Sequence, residues 1–208
     1  MKNCSRPISI LLFLCVTLLG GRAVAAAGAP DLYRASYQAE ARADYADALA
    51  KVRQIRKVAG ASYFLSLRTG WLAYLAGDNA AAEACYREAI AARPKAIEAQ
   101  IGLTRVLYVA KKWHELQVAC KQVLSQDGKN PTVRARLAAA QYNLGDLTNA
   151  AQGYRKLVDE YPAELDYQTG LGWALLRMGK GPDARQVFQA VLAVSPDNLS
   201  AKDGMAAK

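Results

Sequence analysis

The chain has 208 residues, carries 27 Lys+Arg against 18 Asp+Glu for a formal charge of +9, and is 52% hydrophobic. That length suits one substantial domain or one short repeat array, and that hydrophobic content excludes a disordered tail or linker protein. Alanine fills 41 positions against 7 for proline and 3 for phenylalanine, which favours helix over sheet because strands want β-branched and aromatic residues. One His and four Cys offer little material for a metal centre, so no cofactor is expected.

The first segment reads as an address. Lys2 and Arg6 precede a mostly apolar run from Ile8 to Leu19, Gly20-Gly21 break it, and Ala23-Val24-Ala25 supplies a small-x-small cleavage pattern. These are the three regions of a Sec-type signal peptide, assigned to residues 1–25. The alternative, an uncleaved anchor, meets the difficulty that a spanning helix needs about 20 apolar residues, whereas Arg22 interrupts soon after this run. Lipid attachment at Cys15 is disfavoured because Phe13-Leu14 precede it and it lies inside the apolar run. Cleavage before Ala26 removes Lys2, Arg6 and Arg22 with no acid and so lowers the formal charge from +9 to +6. The mature chain is expected to be soluble, without a stable membrane span, and periplasmic or extracellular. Nucleic acid is then a poor partner despite the basic charge.

From residue 29 onward a period of 34 dominates. Ala48, Ala82, Leu116, Ala150 and Ala184 are spaced 34 apart, as are Gly77, Lys111, Gly145 and Gly179. Four positions after the first series come Val52, Tyr86, Cys120, Tyr154 and Phe188, and three further on Ile55, Ala89, Val123, Leu157 and Val191. Pro94, Pro162 and Pro196 close three of the units. Each unit reads as two antiparallel helices: in the second, Tyr63–Ala76, a Gly77-Asp78 turn, then Asn79–Ala92. Small residues such as Gly70, Ala82 and Ala89 let the paired helices approach, while Tyr86, Leu171 and Phe188 fill the space between units. The predicted array spans residues 26–198, with units 29–62, 63–96, 97–130, 131–164 and 165–198; residues 199–208 form a partial capping helix with a polar outer face. No unit buries its apolar face alone, so stacking stabilises the array.

At this point the chain resembles the tetratricopeptide repeat (TPR) family, whose pattern places W-x2-L-G-x2-Y, A-x3-F and P within 34 residues. Leu171-Gly172, Ala184, Phe188 and Pro196 carry the match in the last unit, and Gly70, Ala82, Tyr86 and Pro94 in the second. The early tryptophan position departs from the pattern, being held by Leu32, Ser66, Gln100, Arg134 and Gln168. The resemblance implies an all-α, right-handed α-solenoid whose concave surface is lined by the first helix of each unit. Ligand-facing positions carried over from such proteins fall on Tyr33, Tyr37, Phe64, Trp71, Tyr74, Tyr108, Tyr142 and Trp173, together with Arg34, Arg68, Arg105, Arg136 and Arg177. Aromatic rings give contact area at low entropic cost, and arginine gives forked donors suited to carboxylates. A protein segment with acidic and apolar residues would suit that surface, as would an anionic polysaccharide stacking on the rings. Equally, the tyrosines would serve as packing between neighbouring first helices and the arginines as a solvated face. The clamp that holds chaperone-tail carboxylates is absent, since Tyr33, Tyr37, Arg68, Glu98 and Gly102 stand where its Lys and Asn residues would be.

Catalytic chemistry finds no footing. His114 lacks companions at metal-ligand spacing, Gly170-x-Gly172 interrupts a helix and follows no strand, and Asp44, Asp47, Asp159 and Glu160 read as surface acids rather than a positioned pair. No catalytic residue or metal site is assigned. Cys85 and Cys120 occupy near-equivalent places in neighbouring second helices. A disulfide between them requires Cα atoms within about 7 Å and is feasible only with facing side chains; a buried thiol at Cys120 is the plainer reading. The sequence thus points to a non-enzymatic scaffold or assembly factor of the cell envelope that binds a protein segment. A self-assembling structural module and a module for an anionic surface polysaccharide remain as alternatives.

Overall fold

The computed structural model describes residues 28–207, so the expected signal peptide lies outside the described residues. Among them eleven α-helices follow one another with no strand. They are α1 (Ala29–Ala41), α2 (Tyr45–Ala59), α3 (Tyr63–Leu75), α4 (Asn79–Ala92), α5 (Ile97–Val109), α6 (Trp113–Gln126), α7 (Pro131–Asn143), α8 (Leu147–Glu160), α9 (Leu165–Arg177), α10 (Gly181–Val194) and α11 (Leu199–Ala206). The chain divides after Pro94 into two compact units, the first holding α1–α4 and the second α5–α11. Within each, helices pack in antiparallel pairs joined by tight turns.

The turns repeat because one backbone conformation repeats. Ala43, Gly77, Lys111, Gly145 and Gly179 all adopt positive φ, from 55° to 87°. A side chain pays a steric penalty in this left-handed region and glycine does not. The next residue opens the second helix. Asp44, Asp78 and Asp146 accept a hydrogen bond from the backbone N–H of Asp47, Ala81 and Asn149 at 3.1, 3.1 and 3.4 Å, satisfying donors that a helix start leaves unpaired. Lys112 and Lys180 stand at the same place and provide no such cap. Several first helices begin the same way: Ser62, Asn130 and Asn198 accept from Leu65, Val133 and Ala201.

The core follows the 34-residue series. Ala48, Ala82, Leu116, Ala150 and Ala184 have no exposed surface, and Val52, Tyr86, Cys120, Tyr154 and Phe188 are all buried beside them. Gly170 and Gly172 do not interrupt a helix; α9 runs unbroken through both. They are needed because rings cross there. A methyl group at Gly170 would lie 2.6 Å from the Tyr154 ring, and one at Gly172 2.5 Å from Phe188. Phe188 is closed from its other side by Gly204 of α11, where a methyl would come within 2.3 Å. The capping helix is therefore seated on a ring that only glycine can approach. Its outer face carries Lys202 and Asp203, but also Leu199, which is 74% exposed.

The tryptophan position of the repeat pattern has been rebuilt with polar links. Ser66 donates to Glu88 at 3.0 Å, Gln126 to Gln100 at 2.9 Å, and Arg134 forms a fork on Glu160 at 2.6 and 2.8 Å. Each joins a first helix to the far part of its own partner helix. Gln168 instead donates to the Pro162 carbonyl at 2.8 Å.

Candidate functional site

In the first unit the aromatic residues of α1 and α3 gather on one face around a buried ion pair. Arg68, 8% exposed, reaches from α3 to α1, where it donates to Ser36 at 2.9 Å and pairs with Glu40 at 3.0 Å. The Tyr37 ring lies over its guanidinium at 3.6 Å. Glu40 also accepts from the Trp71 indole N–H at 2.8 Å, and Trp71 stacks beside Tyr74 with centroids 6.1 Å apart. Tyr33 packs against Phe64 at 5.9 Å, and burial is the main influence raising the Tyr33 hydroxyl above its ordinary pKa. Tyr37 and Phe64 remain half exposed.

Arg68 corrects the sequence-based expectation. It is not a donor offered to a partner, because Glu40 neutralises it and Tyr37 covers it; its Nε is buried without a hydrogen-bond partner. A helix offset predicts a face, but the length of an arginine lets it turn back onto the preceding helix. Arg136 does the same in the second unit, donating to Thr104 at 2.9 Å. Both arginines occupy the same repeat position and reach a hydroxyl 32 residues earlier. Arg177 donates to the Tyr142 carbonyl at 2.9 Å and lies over the Tyr142 ring at 4.6 Å. Arg105 is half-buried on α5, and Arg34 is exposed with Asp31 as its partner at 3.2 Å.

The second unit contains a cleft. The first helices α5, α7 and α9 pack side by side, and between them opens a cavity of about 550 Å³ lined by Tyr108, Thr132, Arg136, Tyr154, Glu164, Asp166, Tyr167 and Trp173, among others. An adjoining lobe of about 390 Å³ shares Tyr108, Tyr154 and Trp173 and adds Tyr142 and Asn143. Of the residues taken from the repeat offsets, Tyr108 and Trp173 line both lobes, Arg136 the larger and Tyr142 the smaller. Tyr108 leans edge-on against Trp113 and keeps 43% of its surface exposed. Trp173 is held by a 2.9 Å hydrogen bond from its indole N–H to Ser200 and by an edge contact with Phe188.

The offsets missed the floor of this cleft. Tyr154 belongs to the second helix α8, yet it lines both lobes. It reaches them because Gly170 has no side chain in its path. Burial drives its hydroxyl pKa strongly upward, and the charge of Asp166 adds to the effect. The signal was present as Gly170, a glycine at the repeat position where Arg34, Arg68 and Arg136 stand. Glu164, Asp166 and Tyr167 were also outside the expected set. Tyr167 pairs edge-on with Tyr161, and burial followed by Glu164 raises its pKa.

The two cysteines of the described residues do not form a disulfide; both are free thiols. Cys120 is wholly buried, which pushes its pKa up to about 12 against a smaller opposing effect of the Arg136 charge. Cys85 is half-buried and accepts a 3.5 Å contact from Arg56, with burial again raising the thiol. His114 lies exposed in the first turn of α6.

A face built from repeated first helices, with a cleft along it, is the arrangement of a helical-repeat interaction module. The chain belongs to the tetratricopeptide repeat family, whose model matches residues 29–196. Solved structures agree on the fold. MamA from Desulfovibrio magneticus RS-1 superposes with a TM-score of 0.75 at 18% identity, covering 82% of this chain and 97% of that one. YrrB, described as a TPR protein with an unusual peptide-binding site, gives 0.72 at 13% identity over 83% and 89%. A tetratricopeptide repeat protein from Parabacteroides merdae gives 0.75 at 15% identity over 86% and 71%. No curated protein matches the sequence. Repeats of this family are, as a rule, non-enzymatic modules that bind proteins.

Proposed function

We propose that this protein is a binding scaffold or assembly factor of the cell envelope, and that it holds an extended segment of a partner protein in the cleft between α5, α7 and α9. The observation that carries the reading is the cleft itself: about 550 Å³ of open space on the first-helix face, walled by Tyr108, Trp173, Tyr154 and Tyr167. Rigid aromatic rings give much contact area for few rotors, and the Ser200 bond and the Phe188 contact hold Trp173 in place before any ligand arrives. The peptide-binding site named for YrrB supports a peptide as ligand. Export rests on the signal-type sequence of residues 1–25 and implies a mature chain starting at Ala26 and a periplasmic or extracellular protein.

The test is affinity capture from envelope extract with the native protein and a Tyr108→Ala/Tyr167→Ala variant of matched helicity. One protein retained by the native form and lost by the variant supports the cleft; equal retention places the contact elsewhere. Terminal sequencing of the exported chain checks the cleavage site, with Ala26 expected first.

The alternatives are a self-assembling module and a binder of anionic polysaccharide. The exposed Leu199 and Val194 near the C-terminal end favour the first; growth of the particle with concentration in light scattering would support it. The exposed carboxylates of the cleft disfavour the second.

A further inference from the structure

The charge around the cleft is opposite to that of the chain. The protein carries a formal +9, yet two of the three ionisable carboxylate or guanidinium groups lining the larger lobe are acids, Glu164 and Asp166. Both are exposed, and neither enters an ion pair among the described residues. The third, Arg136, already donates to Thr104 and to the Ile101 carbonyl. The carboxylates and the rings share one set of walls: Glu164 and Asp166 line the same lobe as Tyr154, Tyr167 and Trp173. Glu164 stands at the N-cap of α9 but accepts no capping bond from it, and Asp166 lies in the first turn of the same helix.

Aromatic faces beside carboxylates attract cations, because the ring quadrupole is negative on its face. The fold already uses its tyrosines this way, with Arg68 over Tyr37 at 3.6 Å, Arg93 over Tyr63 at 5.0 Å and Arg177 over Tyr142 at 4.6 Å. We infer that the α5–α7–α9 cleft recognises a partner segment through a basic side chain, an arginine or lysine flanked by apolar residues, seated against Tyr154, Tyr167 and Trp173 and countered by Glu164 and Asp166. This rests on the cleft being the peptide site, and it reverses the acidic ligand that the sequence suggested. That ligand was inferred from arginines which the structure commits to internal partners. Charge complementarity excludes an acidic segment as the preferred occupant: the carboxylates would repel it, and Arg136 alone would attract it.

Fluorescent peptide pools of fixed length test the assignment, with degenerate apolar positions around a central arginine, citrulline or glutamate. Binding to the purified full chain is read by anisotropy. The arginine pool should bind at least about tenfold tighter than the citrulline pool, a difference of about 1.4 kcal/mol, and this advantage should shrink with added salt. In a Glu164→Gln/Asp166→Asn variant the arginine and citrulline pools should become equivalent. Equal binding of arginine and citrulline pools by the native chain, or preference for glutamate, would overturn the cationic anchor and leave the cleft as a peptide site. Binding to no pool, or binding unaffected by Tyr108→Ala/Tyr167→Ala, would overturn both.

Discussion

Lys111 and Ala43 occupy the turn position that glycine fills in three other repeats, with φ of 55° and 59°. A side chain in the left-handed region costs about 1–2 kcal/mol, partly offset by glycine's greater freedom in the unfolded chain. Lys111→Gly is therefore expected to raise unfolding stability by about 1 kcal/mol, and Gly145→Ala to lower it by a similar amount, both read from urea midpoints. Asp78 offers a pH test. Its carboxyl is held below the ordinary 3.8 mainly by the Ala81 amide and then by Arg53, against a smaller opposing effect of burial. A lowered folded pKa means that its contribution is complete above the unfolded value and is lost as pH falls through the folded one. Asp78→Asn should thus lose less stability than the native chain between neutral pH and about pH 3. Denaturant titrations at the two pH values measure the difference.

Helix ends and helix seats set the second scale. Lys180 begins α10 without a cap, where Asp44, Asp78 and Asp146 cap their helices, and its charge opposes the helix dipole. Lys180→Asp should stabilise the protein by about 1 kcal/mol, seen as a higher urea midpoint. At α11, Gly204→Ala places a methyl within 2.3 Å of Phe188. A helix of eight residues does not hold itself together without its seat, so residues 199–206 should exchange their amide hydrogens much faster in this variant. The elements were legible in the sequence because the 34-residue series marks buried contacts: Ala48, Ala82, Leu116, Ala150 and Ala184 have no exposed surface at all. Gly170 and Gly172 were misread as helix breaks because the sequence shows a missing side chain, not the ring that needs its absence. The same gap hid Tyr154, whose access to the cleft depends on a residue in a different helix.

For the molecule as a whole, the fold class followed from the 34-residue period and the family resemblance it carries, while the chemistry of the site did not. Repeat offsets selected Tyr108, Tyr142 and Trp173, which do line the cleft, but could not reveal that Arg68, Arg136 and Arg177 turn onto neighbouring helices. A positively charged chain was therefore assigned an arginine-rich surface, where the structure has aromatic rings beside two unpaired carboxylates. The central assignment is that a partner segment lies in the α5–α7–α9 cleft. Photo-crosslinking in intact cells tests it most directly, with a crosslinking phenylalanine derivative placed at Tyr108 in the cleft or at Val118, 66% exposed on the second helix α6. A discrete adduct from position 108, absent from position 118 and lost when Tyr167→Ala is added, is the expected result. An adduct from position 118 with none from position 108 would contradict it.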